Sequence, residues 1–406
     1  MKLGKRAAFC AALFVGAATF AGQSATAQQG RTFTLNAQER AAILPLQNAI
    51  LTNNFAAAAA ALPAARSAAQ GADARYMVGQ YQLRTGIATA NLQMQAHAIE
   101  IMLSSGVVPA ADLPQLVANQ AALAIRNNDI KRAEAAYARY VELAPNDANA
   151  VMALAEIRHD MGNVAASVPL MERAIDLRQA SGQPVPESWY KRALKTAFDA
   201  KVAPQSLKFS RALVATYPSD ENIRDAALVH RDLGGFDNDA RLDLYRLLRA
   251  SKSMAGERDY FESAQAFTAA GLGNEAKSVL DEGVSQRMVD ASKGAAKDLL
   301  AASAKRATGK AALTGLQTKA MASATGTAAL SAGDTFFGSG DYAAAASLYQ
   351  AALQKGSVDP NVANTRLGIA LAMAGQRAEA ETAFRAVTGP RANLASLWLA
   401  WLSRRA

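Results

Sequence analysis

The sequence predicts an all-α fold, a stack of antiparallel helix pairs closed by a single C-terminal capping helix. Three observations predict it. First, "AGDTFFGSGDYAAAASLYQAAL" (332–353) is echoed 35 residues on by "LGIALAMAGQRAEAETAFRAV", with Gly333 and Gly368, Ala345 and Ala380, and Tyr349 and Phe384 in matching places. Self-similarity at such a period is the signature of stacked supersecondary units. Second, the 406 residues are 51% hydrophobic but only 6% aromatic. Much of that apolar content is alanine, which favours helix and buries little area, so thin helix-on-helix layers suit it better than one thick core. Third, Gly, Asn and Asp fall at regular corners, and Pro145, Pro218, Pro360 and Pro390 stand where one pair hands over to the next.

In chain order, Lys2, Lys5 and Arg6 precede the uncharged run "AAFCAALFVGAATFAG", and Ala25-Thr26-Ala27 has the small-x-small form of a cleavage site. Residues 1–27 are therefore expected to be a cleavable signal peptide. The run falls short of the roughly 20 apolar residues that span a bilayer; a retained anchor is the alternative. Cleavage would remove Cys10, the one cysteine, so no disulfide is expected. Residues 28–38 read as a linker, 39–113 as degenerate units, 114–290 as a central array and 291–325 as a degenerate basic Ala/Gly-rich unit or hinge. A C-terminal pair follows over 326–394, then a capping helix over 395–406. In the closing stretch "ANLASLWLAWLSRRA" (392–406) Leu394, Leu397, Trp398 and Trp401 recur at helical spacing. Covering the exposed face of the final pair is the expected role, and an interfacial anchor with Arg404 and Arg405 beside the indoles is the alternative.

The register of small and large residues carries through the chain. The first small site is Ala121, Ala155, Ala264, Gly333 and Gly368, replaced by Leu194 and Leu228 in the middle; the second is Ala58, Ala133, Ala240, Ala276, Ala345 and Ala380. The bulky site after it is held by Tyr137, Met171, Leu244, Leu280, Tyr349 and Phe384. Small residues let two helices approach closely, and large ones fill the space between pairs. Corners are marked by Asn53-Asn54, Asn128-Asp129, Gly162-Asn163, Gly234-Gly235, Gly271, Gly340-Asp341 and Gly375.

This pattern resembles the tetratricopeptide repeat family, specifically over 114–181 and 326–389, fairly over 221–285, and weakly over 73–113, 187–220 and 291–325. The resemblance implies a right-handed solenoid of about ten units whose first helices line a concave groove for a peptide or protein. Carrying the groove-facing slots of the family onto this register gives Arg84, Arg126, Glu156, His159, Lys191, Lys195, Arg258 and Gln265, with Asp225 and Asp334 alongside. Lys191 and Lys195 stand one turn apart without a partnering asparagine, which departs from the Lys/Asn/Arg clamp that some family members use on C-terminal carboxylates.

The formal charge is +9, or +6 without Lys2, Lys5 and Arg6. Two stretches are basic: 189–211, with Lys191, Arg192, Lys195, Lys201, Lys208 and Arg211 against Asp199, and 293–319, with Lys293, Lys297, Lys305, Arg306, Lys310 and Lys319 against Asp298. They read as solvated faces or as docking patches for an acidic partner, an anionic glycan or a lipid surface.

Chemistry-bearing motifs are sparse. His97, His159 and His230 lack metal-ligand spacing. "Gly338-Ser339-Gly340" lacks the spacers of a nucleophile elbow. "Gly271-Leu272-Gly273-Asn274-Glu275-Ala276" has the letters of a dinucleotide fingerprint but follows a helical stretch rather than a strand. "Thr308-Gly309-Lys310-Ala311" lacks the earlier glycine and following hydroxyl of a phosphate loop. No cofactor, metal, nucleic-acid partner or catalytic residue is expected. The expected role is a periplasmic scaffold that binds a protein or peptide. An envelope-assembly or polysaccharide-export accessory is the alternative, and secretion or peripheral attachment to the envelope are alternative locations.

Overall fold

The structure, a computed structural model, describes residues 32–404; the signal-peptide expectation lies outside the described residues. Among these residues every regular element is helical. The chain divides into two compact units, meeting at Val185 and Pro186, inside the stretch read as one central array.

Unit 1 contains four consecutive pairs: α1 (Ala37–Leu51) with α2 (Phe55–Ala68), α3 (Ala72–Ala88) with α4 (Leu92–Ser104), α5 (Leu113–Arg126) with α6 (Ile130–Leu143), and α7 (Ala148–Asp160) with α8 (Val164–Ala180). The partners in each pair pack on each other, and each second helix packs on the first helix of the next pair. Most connections within the pairs are only three residues long, which leaves no option but an antiparallel return.

One corner chemistry recurs. The first helix of a pair ends at a left-handed residue: Asn53, Ala90, Asn128 and Gly162 in unit 1, then Lys201, Gly271, Gly340 and Gly375 in unit 2. The next N–H reaches back five residues to a helix carbonyl, as from Asn54 to Ala49 (2.8 Å), Asp129 to Ala124 (2.9 Å) and Asp341 to Phe336 (3.1 Å). That bond satisfies a carbonyl the helix would otherwise orphan. In five corners the same residue caps the second helix: Asn54, Asn91, Asp129, Asn163 and Asp341 each accept from the backbone N–H three residues on.

Unit 2 begins with α9 (Glu187–Asp199), α10 (Ala203–Thr216) and α11 (Asp220–Leu233), and continues through α12 (Asn238–Ala250), α13 (Glu257–Ala269) and α14 (Gly273–Ser285). Then come α15 (Gly294–Arg306), α16 (Lys310–Ala322), α17 (Gly326–Gly338), α18 (Tyr342–Lys355), α19 (Pro360–Met373) and α20 (Arg377–Arg385), a 3-10 turn (Gly389–Arg391) and α21 (Ala392–Ser403). In the pairs α17/α18 and α19/α20 the small and large sites meet directly. A Cβ on Gly333 would lie 2.6 Å from the Tyr349 ring, and one on Gly368 2.6 Å from the Phe384 ring. The repeated small–large spacing is thus the imprint of an aromatic ring seated on a bare backbone.

Two departures from a plain array shape unit 2. The helix α12 packs on its mate α11 but also runs against α13, α19 and α21. Almost all of its sides are covered: Leu242, Asp243, Leu244, Arg246, Leu247 and Leu248 are buried. The pair α15/α16 is splayed: α15 lies on α13 and α14, α16 lies on α17 and α18, and α14 meets α17 directly. Close backbone approach makes this possible, since a Cβ on Gly273 would overlap the Arg306 backbone and one on Gly338 would lie 2.7 Å from the Glu275 nitrogen. In the fingerprint-like stretch Gly273 therefore serves helix packing and Gly271 the left-handed corner.

The C-terminal helix α21 covers α20 as the cap expectation has it, and also packs on α10, α11 and α12. Trp398 (0% exposed) stacks on Phe384 at 5.9 Å and meets Trp401 (2% exposed) edge-on at 5.3 Å. Buried indoles cannot sit at a headgroup level, so the anchor alternative is set aside. Arg211 donates to Asn393 (2.6 Å), and Arg404 pairs with Asp220, tying α21 to the start of the unit.

Candidate binding surface

The left-handed corner residues provide a common ruler for the first helices. Six residues before each corner stand Gln47, Arg84, Ala122 and Glu156 in unit 1, and Lys195, Gln265, Asp334 and Ile369 in unit 2. His159 lies three residues before its corner, Arg126 two, Lys191 ten and Arg258 thirteen, so the sequence-derived residues share one face of the first helices by register.

In unit 1 that face is open: Arg84 and Arg126 are exposed, and Gln47, Ala122, Glu156 and His159 are half-buried. Arg84 reaches the Asn53 side chain of the preceding corner at 3.3 Å. His159 lies 3.2 Å from Asp160, its neighbour in sequence. The apolar side chains of Leu51 (68% exposed) and Ile87 (49% exposed) stand near the same helix ends.

In unit 2 the counterparts are differently placed. Lys191 is held between Glu187 (3.2 Å) and Glu221 (3.3 Å). Partial burial works against its charge, but the two carboxylates prevail and its pKa rises. Lys195 pairs with Asp199 at 2.7 Å and Arg258 with Glu262 at 2.6 Å, each one turn along its own helix. Gln265 is exposed, as is Asp225, whose carboxyl is pushed up by desolvation and by Glu221.

Asp334 is buried, which corrects its reading as a groove residue. Its carboxylate accepts from the Tyr349 hydroxyl (2.7 Å) and from Arg366 (2.7 Å). These belong to a buried ionic cluster centred on α12. Arg246 pairs with Asp243 (2.8 Å) and, in a two-pronged contact, with Glu275 (2.8 and 2.6 Å); Arg391 pairs with Asp243 at 2.8 Å, and Arg366 with Asp239 at 2.7 Å. The Arg246 guanidinium also lies 4.7 Å from the Phe337 ring centre. Burial opposes its charge, yet Glu275, with smaller contributions from Tyr349 and Asp243, outweighs that, and its pKa is held well above the usual arginine value. Three fully or nearly buried carboxylates, Asp243, Glu275 and Asp334, thus balance three buried arginines, Arg246, Arg366 and Arg391. The face that is open in unit 1 is covered in unit 2 at Asp334 and Ile369, where α12 packs, while Lys195 and Gln265 at the same register position are exposed.

Sequence reasoning missed this occupant because α12 keeps the ordinary register, with Ala240 at the small site and Leu244 at the bulky one. The signal available was a helix with leucines on several sides and Asp243 and Arg246 among them. His230 is fully buried, stacked on Phe236 at 5.7 Å, with Nε2 3.4 Å from the Ser210 hydroxyl. Burial, with a smaller contribution from Arg211, lowers its pKa to about 4, so it is a neutral core histidine. Among the described residues no group of three or more His, Cys, Asp or Glu is placed to hold a metal.

No family model matches this chain, and no curated protein does. Solved structures share the helical-repeat architecture loosely. A tetratricopeptide repeat protein from Parabacteroides merdae is 13% identical, with 66% of this chain and 100% of that one covered and a TM-score of 0.29. The Naa15/Naa10 complex bound to HypK-THB gives 13% identity, 88% of this chain against 58% of that one, and a TM-score of 0.40. The C-terminal part of a TPR repeat-containing protein from Cytophaga hutchinsonii gives 12% identity, 80% and 98% coverage, and a TM-score of 0.27.

Proposed function

We propose that the chain is a periplasmic interaction scaffold that holds a segment of a protein or peptide along the first-helix face of unit 1. One observation carries the reading: the register position is exposed or half-buried in every pair of unit 1, at Gln47, Arg84, Ala122 and Glu156, whereas in unit 2 it is exposed at Lys195 and Gln265 but buried at Asp334 and Ile369, where α12 packs. The inserted α12 is an internal example of what this kind of face accommodates, a helix bearing both leucines and charges. In unit 1, Gln47 can both donate to and accept from a bound segment, and Arg84 and Arg126 can meet its carboxylates. The short side chain of Ala122 leaves room between them for a bound backbone to come close. Ile87 and Ile125 supply apolar contact at the same helix ends. The reading assigns no catalytic step and no cofactor. Periplasmic residence rests on the sequence of residues 1–27 alone.

Site-specific photo-crosslinking in the native cell envelope tests it, with probes at Ala122, Arg126 and Glu156 and controls at Glu142 and Arg173. A discrete protein adduct from the first three positions only is the expected result. The same adduct from all five positions, or none from any, would remove this face from consideration.

A further inference from the structure

Residues 286–322 hold seven Lys or Arg and two Asp, a net +5 out of the +6 that remains once Lys2, Lys5 and Arg6 are set aside. The stretch 189–211 carries the same net +5, but its Lys191 and Lys195 are paired with carboxylates; in 286–322 the charge sits on the splayed pair α15/α16 and its flanks. Lys293 is paired with Glu257 at 3.5 Å. Lys297, Lys305, Arg306 and Lys319 are exposed and meet no carboxylate among the described residues.

A second, independent feature coincides with this charge. Met288 (42% exposed) and Met321 (50% exposed) are the exposed large hydrophobic residues of unit 2 among those described. They stand at the two ends of the basic segment, next to Arg287 and close to Lys319. Lys355 adds a cation at the Met321 end, donating to the carbonyls of Met321 (3.0 Å) and Ser323 (2.7 Å).

We infer that α15/α16 is an electrostatic docking element for an anionic lipid surface, with Met288 and Met321 entering the headgroup boundary. Unpaired cations near a bilayer are drawn to acidic headgroups, and flexible thioether side chains beside them add apolar contact without a fixed pocket. Five of the seven cations are lysines, compact point charges suited to a diffuse anionic surface rather than to two-pronged recognition of one group. Residues 286–322 contain no aromatic ring on which a base or sugar could stack. Among the described residues no helix is long and apolar enough to cross a membrane.

The test is vesicle co-flotation of the full chain with phosphatidylcholine vesicles, with and without phosphatidylglycerol, at low and high salt. Binding through residues 1–27 is then common to every variant. K297E/K305E/R306E is expected to weaken the phosphatidylglycerol-dependent partitioning at least about 100-fold, and high salt to abolish it. M288S/M321S, at exposed positions, is expected to weaken it about fivefold while leaving binding to soluble dextran sulfate unchanged. Circular dichroism checks the fold of each, and K297Q/K305Q replaces the triple variant if that one is misfolded. Undiminished partitioning of the charge variants would overturn the proposal. So would capture of wild type by dextran sulfate but not by phosphatidylglycerol vesicles, which would point to an acidic polymer instead.

Discussion

At Ala90 the first helix of a pair turns through a left-handed backbone (φ 51°) without the glycine or asparagine that marks most other corners. An L-residue with a Cβ is strained there, whereas glycine is not, although glycine costs more chain entropy. Ala90→Gly should therefore stabilise the protein by about 0.5–1 kcal/mol, read as a shifted urea midpoint with unchanged slope. Gly368→Ala should do the opposite. The gain in helix propensity, about 1 kcal/mol, is overridden by a Cβ 2.6 Å from the Phe384 ring, for a net loss of about 1–2 kcal/mol. His230 gives a pH signature. The unfolded imidazole takes up a proton near pH 6.5, while the folded one stays neutral to about pH 4. Acidification thus favours the unfolded state across that window, by about 3 kcal/mol in total below it, and the lost stability returns as pH rises. Denaturation of wild type and His230→Leu between pH 7 and 4 should show this slope only in wild type. Residue chemistry also explains what could be read beforehand. Gly340-Asp341 and Asn128-Asp129 announce their corners, but Ala90 and Lys201 do not, and the matches over 73–113 and 187–220 are weak for that reason.

At the scale of the element, α12 decides how unit 2 differs from unit 1. Its charges have exchanged water for one another, so the pairs contribute little net stability while any single deletion leaves a buried charge without its partner. Asp243→Asn strips a carboxylate that faces both Arg246 and Arg391 and should cost about 3–5 kcal/mol, seen as a large drop in thermal midpoint. Lys195→Ala, at an exposed intrahelical pair, should cost less than about 0.5 kcal/mol. If the two losses were alike, the cluster around α12 would not be the buried, mutually dependent set of charges described. The insertion of α12 was not legible because the sequence register records only how a helix meets its mate. Which face it next turns toward depends on Arg366 and Arg391, more than a hundred residues away in sequence. The capping role of α21 was legible from the spacing of Leu394, Trp398 and Trp401; its return onto α10 and α11 was not, for the same reason.

For the whole molecule, the repeat spacing predicted the helical-pair architecture, and the register placed Arg84, Arg126, Glu156 and His159 on one face of unit 1. The same register also placed Lys191, Lys195 and Arg258, yet these have found carboxylates within the chain, and Asp334 lies under α12. Recognition residues are read from sequence only as far as nothing else in the fold competes for them. The account rests on the contrast between the open face of unit 1 and the face of α17 and α19 that α12 occupies. The measurement that tests it most directly is thiol labelling in a Cys10→Ser background, with single cysteines at Ala122 and Glu156 in unit 1 and at Asp334 and Ile369 in unit 2. In the folded protein, maleimide should modify the first two positions at least about 100-fold faster, with the difference lost in denaturant. Labelling of Ile369→Cys as fast as Ala122→Cys under native conditions would contradict an occupied face in unit 2.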